Sequence, residues 1–374
     1  MGEEHIVLVG AGHAHIQVLD AFAASPPDCR LTLVVDTPIA VYSGMVPGFV
    51  AGQYQVEELQ IDPLPLAKRA GVEVVLARAV RIDTGHQRIE LEDHEAVPYD
   101  IASFDIGSTV AGLDLPGVRE HALPTRPIGL FVGRMDEVLD AARKRDGGPF
   151  RVMVVGAGAG GVELAFTLLH RLRRDTSADV QVTLIDNGPH ILRGYADAVV
   201  RRATRRAAEQ GIDLRCECRV ARVEERAVHL EGGDAVPYDV LVWVTGAVSH
   251  PVFGPSGIST DRRGFARIRP TLQFEEHDNL FGTGDCATLI DHPGTAKAGV
   301  YAVRQGPVIT HNLRAALAGE PLRTYTPQTD FLALLNLGDG TAVGTKWGRV
   351  VEGRWVMKLK DWIDRRFMAR FPRP

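Results

Sequence analysis

Cysteine is scarce in this 374-residue sequence. Its four thiols, at Cys29, Cys216, Cys218 and Cys286, are too scattered for a disulfide framework and suit a reducing compartment, so a cytoplasmic protein is expected. Cys216 and Cys218 make a C-x-C without further ligands, and no metal is expected. Excess positive charge is lacking as well. The formal net charge is −5, which gives no global field to draw the chain to nucleic acid. No apolar run approaches the roughly 18–20 residues that a membrane-spanning helix needs. The opening "MGEEH" is acidic and runs straight into "IVLVG", so it reads as neither a signal nor a transit peptide. Low-complexity tracts are absent. The length allows two or three domains.

Glycine, by contrast, is abundant and patterned. Residues 8–15 read "LVGAGHAH" and residues 154–161 read "VVGAGAGG", each after an apolar run. A second pair of marks follows in the same order: "AVPYD" ends at Asp100 and again at Asp239, and a glycine follows each, Gly107 and Gly246. Gly10 precedes Tyr99 by 89 residues and Gly156 precedes Tyr238 by 82. Two marks in register point to a duplicated unit of roughly a hundred residues or more. Each copy parses as a buried strand, a glycine turn, a helix and a second buried strand ("LTLVVD"; "VQVTLID"). An alternating stretch suited to a small antiparallel meander comes next, then a third apolar strand. Apolar strands alternating with helices indicate a parallel sheet covered on both faces.

In G-x-G-x-x-G the first glycine permits a tight turn, the second lets the backbone approach a pyrophosphate, and the third lets helix and strand pack closely. The anion rests on free N–H groups at the positive end of the helix. Each copy also ends its next strand in an acid, Asp36 or Asp186, suited to a ribose hydroxyl. Two turns therefore mean two dinucleotides. The second copy keeps Gly156, Gly158 and Gly161. The first keeps Gly10 and Gly12 but has His15 at the packing position, so His13 and His15 either contact the pyrophosphate or, for His15, fill the packing gap. After Asp186 comes "NGPH", without an adjacent arginine for a 2′-phosphate. NADH is expected over NADPH, with Arg193 within reach as the alternative.

These motifs resemble the two-dinucleotide-binding flavoproteins, the pyridine nucleotide-disulfide oxidoreductases and type II NADH dehydrogenases. "GAGHAH" stands for FAD, "GAGAGGVE" for NADH, "NLFGTGDCA" for a second flavin motif, and "AKAGVYAVRQGPVITHNL" for a helix whose N-terminus faces the flavin. "YSGMVPGFVAGQY", "AVRQGPV" and "KDWIDRRFMARF" look most like the flavoprotein module that some organisms fuse to selenophosphate synthetase; no ATP-binding synthetase domain is read here. The implied fold class is α/β: two Rossmann-like domains, for FAD and NADH, each with a small meander, plus a small C-terminal cap. The implied boundaries are 1–118 and 256–325 for the FAD domain, 119–255 for the NADH domain and 326–374 for the cap. Pro/Gly-bearing connectors at 123–129 and 248–257 agree with the insertion. The resemblance further implies that Gly10, Gly12, His13, Ala14, His15, Asp36, Ser43, Gly44, Val80, Gly107, Gly284, Asp285, Ala298 and Gly299 bind the flavin nucleotide. It implies the same for NADH of Gly156, Gly158, Gly161, Glu163, Asp186 and Gly246.

By the same analogy, the helix from Gly299 and the charge of Lys297 stabilise the reduced flavin, and Glu163 contacts the nicotinamide side. For Lys297 the alternative is a solvated loop lysine, and for Glu163 a helix-start acid. Disulfide reductases relay electrons through a C-x4-C pair beside the flavin, where this chain has "YSGMVPGFVAG" instead. Sulfide:quinone reductases need flavin-adjacent cysteines in the C-terminal part, and none follows Cys286. Direct reduction of an acceptor remains, a quinone by analogy. The family's A-Q-x-A-x-Q pattern is nevertheless replaced by Gly299, Val300, Tyr301, Ala302, Val303 and Arg304. A reductase of a small redox protein and a redox-sensing NADH-binding flavoprotein are the alternatives. Residues 354–373 hold seven Lys/Arg and two Asp among apolar residues at helical spacing (Trp355, Leu359, Trp362; Met357, Ile363, Phe367). Such a helix docks on the protein or a homodimer partner, or else lies on the inner face of a membrane.

Overall fold

Two five-stranded parallel sheets, built alike, carry the computed structural model, which describes residues 3–145 and 147–374. In the first, the strands run in the order Leu280–Gly282, Ile101–Phe104, His5–Val9, Arg30–Val35, Glu73–Leu76. In the second, the order is Leu123–Pro124, Val240–Trp243, Pro149–Val155, Asp179–Ile185, Asp213–Arg215. The central strands are continuous Val/Ile/Leu runs because both of their faces are buried under helices. The outer strand beside Ile101–Phe104 arrives late in the chain, whereas the one beside Val240–Trp243 comes just before its unit.

The repeated "YD" has the same task in both copies. Tyr99 and Tyr238 are buried, and their N–H groups donate to Gln87 and Arg226 at 2.9 and 3.0 Å. The following acid clamps the start of the central strand. Asp100 Oδ2 accepts the His5 N–H at 2.7 Å, and Asp239 Oδ2 accepts the Arg151 N–H at 2.8 Å. Three-stranded antiparallel meanders, Ala79–Asp83/Arg88–Leu91/His94–Pro98 and Val220–Glu224/Ala227–Leu230/Ala235–Pro237, sit at the expected place in each copy. The two crossings between the units pair with each other, Thr109–Val110 against Ala247–Val248. Trp243 and Thr245 tie this link down by donating to the Ala111 carbonyl at 2.8 and 2.6 Å.

Beyond the helix Gly299–Ala318 lies a three-stranded antiparallel sheet (Ala333–Asn336, Ala342–Lys346, Arg349–Gly353) followed by the helix Arg354–Met368. The sheet leans on the helix Ala159–Asp175 of the second unit, while the last helix leans on residues 42–62 of the first. That last helix buries Val356, Met357, Lys360, Asp364 and Met368. Trp355 and Trp362, read from the sequence as one apolar line, are 57% and 56% exposed. A buried Lys360–Asp364 pair has taken the inner face instead. Among the described residues no helix is long and apolar enough to cross a membrane.

Candidate functional site

Both glycine turns are drawn tight for the same reason. Gly10 (φ +88°) and Gly156 (φ +110°) lie in left-handed backbone, and a Cβ on either would come within 2.5 Å of a carbonyl of the third strand, Asp105 O or Val244 O. Their N–H groups both donate at 2.8 Å to the second strand, at Val34 and Ile185. The helices His13–Ala24 and Ala159–Asp175 start from these turns.

The copies then diverge. A Cβ on Gly161 would collide with Gly156 O, so the third glycine is there for packing. In the first copy His15 fills that place. It is fully buried, with Nδ1 bonded to Gly10 O at 2.7 Å and Nε2 to Ser103 Oγ at 2.8 Å. Both ring nitrogens are committed to the fold, and burial pushes the imidazole below its ordinary range, keeping it neutral. The His15 ring is therefore a packing group, and the alternative of a pyrophosphate contact by its side chain is set aside. His13 behaves differently. Its Nε2 is buried without a partner, and a Cβ on Gly299 would lie 3.9 Å from that nitrogen and 3.3 Å from Ser43 Oγ. His13, Ser43 and the head of the helix Gly299–Ala318 thus converge.

Asp105 was missed in the sequence. Its carboxylate caps the first nucleotide helix, accepting the N–H groups of Ala14 and His15 at 2.8 and 3.1 Å, and it leaves no space for a side chain at Gly12. The matching residue of the second copy is Val244. An acid at the end of an apolar strand, against a valine in the repeat, was the available signal. Asp285, expected at the flavin, is paired with Arg126 at 3.0 Å, with Ser108 bonded to the same guanidinium. The Gly284 N–H donates to the buried Gln305 at 2.7 Å, fixing the Gly284–Asp285 turn against the helix Gly299–Ala318. Lys297 is neither free in solvent nor directed at the helix head. Its ammonium bonds Ala287 O and Thr288 Oγ1 and lies 3.9 Å above the Phe265 ring, and burial lowers it to about 8. Asp36 ends its strand exposed, with no hydrogen-bond partner among the described residues; Val80, also exposed, lies on the first strand of the first meander. Gly107, Gly158 and Gly246 face open space, and Ala298 caps the helix Gly299–Ala318.

A histidine with a buried, partnerless nitrogen, a free strand-end acid and open space at Gly107 fit a flavin dinucleotide in the first unit. Asp105 stands against this in part, since it already takes two of the helix's N–H donors.

Glu163 is buried on the second turn of the helix Ala159–Asp175, so it is not a helix-start acid. Its Oε1 accepts the Asn336 N–H of the cap at 2.8 Å. Burial raises its carboxyl to about 7, while Lys360 and the Asn336 N–H pull the other way. No local sequence pattern marks its neighbours. Lys360 Nζ donates to Asp364 at 2.8 Å and to Gly44 O at 2.7 Å, and Tyr42 OH reaches Asp364 at 3.3 Å. Tyr42 also packs between His13 and Phe367, ring centroids 5.3 and 4.8 Å away. The cap thereby bonds to both units, at Glu163 of the second and at Gly44 and Tyr42 of the first.

Residues 4–306 match the family Pyridine nucleotide-disulphide oxidoreductase. Over 361 residues the chain is 24% identical to the NADH dehydrogenase-like protein YutJ of Bacillus subtilis, covering 95% of this chain and 96% of that one. It is 26% identical to the demethylphylloquinone reductase NdbB of Synechocystis, covering 93% and 86%. The structure of NDH2 from Plasmodium falciparum in complex with NADH superposes with a TM-score of 0.81 at 12% identity, covering 100% of this chain and 99% of that one.

Proposed function

The chain belongs to the pyridine nucleotide-disulphide oxidoreductase family and is an FAD-dependent NAD(P)H oxidoreductase, and from that premise we propose that it passes electrons from NADH through flavin directly to a quinone-like acceptor. The observation that carries this reading is the state of its sulfur. All four thiols are free, and Cys286, the one next to the flavin motif, is buried with its Sγ donating to Thr283 O at 3.0 Å. Burial pushes that thiol up to about 12, far from a reactive thiolate. Electrons then have no dithiol to pass through.

When bound, flavin would supply the chemistry of taking a hydride from nicotinamide and passing the electrons to the acceptor. The protein's part is to hold and orient. His13 would donate from its unpartnered Nε2–H, Asp36 would accept a ribose hydroxyl, and the head of helix Gly299–Ala318 would supply N–H groups. Gly156 and Gly158 open the second turn to NADH. Glu163, titrating about 7, holds a proton at the junction of the two units near neutrality. Quinone is supported by the names of the relatives and by the aromatic pair Tyr301–Phe331, centroids 5.8 Å apart, at the start of the flavin-facing helix. The domain division is kept as 1–118 with 256–325, 119–255 and 326–374. The exposed Trp355 and Trp362, flanked by Arg354, Lys358, Arg365 and Arg366, suit contact with an anionic membrane surface.

The test is an anaerobic one. NADH bleaches the visible flavin absorbance, and a menaquinone or ubiquinone analogue restores it within the turnover time. Restoration by an iron–sulfur protein but by no quinone would move the function to a redox-protein reductase.

A further inference from the structure

Asp186 ends the second strand of the NADH unit, where a free carboxylate accepts the ribose 2′-hydroxyl of NADH and repels the 2′-phosphate of NADPH. Here the carboxylate is not free. It is 8% exposed, its Oδ2 accepts the Ala157 N–H at 2.8 Å, and its Oδ1 accepts the Gly188 N–H at 2.7 Å. Arg193 closes over it from outside: Nη2 stands 3.2 Å from Asp186 Oδ1 and donates to Asn187 Oδ1 at 3.1 Å. The arginine lies across Gly188, where a Cβ would come within 2.6 Å of its Nε. Its side chain is 55% exposed, and its Nε and Nη1 have no hydrogen-bond partner among the described residues.

We propose that Arg193 makes the site accept NADPH beside NADH, by neutralising Asp186 and offering its remaining N–H groups to the 2′-phosphate. Two features combine. The repulsion expected from a strand-end acid is cancelled by an ion pair already in place. The guanidinium that cancels it keeps unpaired donors in a planar fork, the geometry that suits phosphate oxygens. The sequence left Arg193 as the alternative to an adjacent arginine; the fold brings it to Asp186 from seven positions on, over a residue without a side chain. The inference rests on the reading of the second unit as a nicotinamide-nucleotide site.

The experiment is calorimetric titration of the full-length protein with ADP-ribose and with 2′-phospho-ADP-ribose, beside the kcat/KM ratio for NADPH over NADH. The wild type binds the phosphorylated probe at least as tightly as the plain one. Arg193→Ala weakens the phosphorylated probe by about 10- to 100-fold and ADP-ribose by about fivefold or less, and the kcat/KM ratio falls with it. Gly188→Ala, which displaces the guanidinium but keeps its charge, shifts the two probes in the same direction by a smaller factor. Equal weakening of both probes by Arg193→Ala, or a wild type that prefers ADP-ribose at least tenfold, overturns the proposal. Binding of neither probe removes the nicotinamide-site reading itself.

Discussion

His15 and Gly161 stand at the same step of two copies of one turn and answer its packing need in opposite ways. Gly161 brings the helix against Gly156 O; His15 keeps it away and bonds the corresponding carbonyl, Gly10 O, with its ring. His15→Gly leaves Ser103 Oγ without its partner and opens a cavity, so it should destabilise the protein by roughly 2–4 kcal/mol. Urea denaturation checks this, and an unchanged midpoint contradicts it. The missing glycine was visible in the sequence. Which way the histidine turns was not, because that depends on Ser103, 88 residues away. Glu163 gives a pH-dependent prediction at the same scale. Its folded value, about 7, lies above the usual carboxylate range, so the folded state binds the extra proton. The stability this confers is present below the unfolded value of 4.5 and is lost as pH rises through about 7. Glu163→Gln should therefore raise Tm at pH 8 and leave it level with wild type near pH 4. A variant difference that is constant across that range contradicts the assignment.

At the scale of elements, the last helix shows why periodicity alone misjudged a face. Trp355, Leu359 and Trp362 are spaced as a core stripe, yet the helix turns Lys360 and Asp364 inward. Lys360 meets the Gly44 carbonyl at the end of a short turn that only the tertiary fold brings near. Breaking such a pair on one side is costly: Lys360→Met should lose about 3–5 kcal/mol in denaturant unfolding, and Lys360→Met with Asp364→Leu should recover much of it. The outward tryptophans carry the opposite expectation. Trp355→Ser with Trp362→Ser should change stability by about 0.5 kcal/mol or less and abolish co-sedimentation with anionic phosphatidylglycerol vesicles. Retained co-sedimentation assigns vesicle binding elsewhere. The strand–turn–helix elements, by contrast, were legible, since a buried parallel strand and its glycine turn are written in a dozen consecutive residues.

At the scale of the molecule, the twin sheets were readable because duplication leaves the same marks twice, and Tyr99–Asp100 and Tyr238–Asp239 perform one structural task in both. The junction was not readable. Glu163, Asn336, Lys360, Asp364, Tyr42 and His13 come from five separate stretches of chain, and no local pattern announces their meeting. The central claim is that electrons cross this junction from nicotinamide to flavin and leave without a sulfur relay. Its most direct test counts electrons. In an anaerobic titration of the FAD-loaded protein, about one NADH per bound FAD should complete the bleaching, with no further uptake of reductant. Uptake of a second equivalent, with thiols appearing as it is consumed, would show a hidden dithiol and contradict the account.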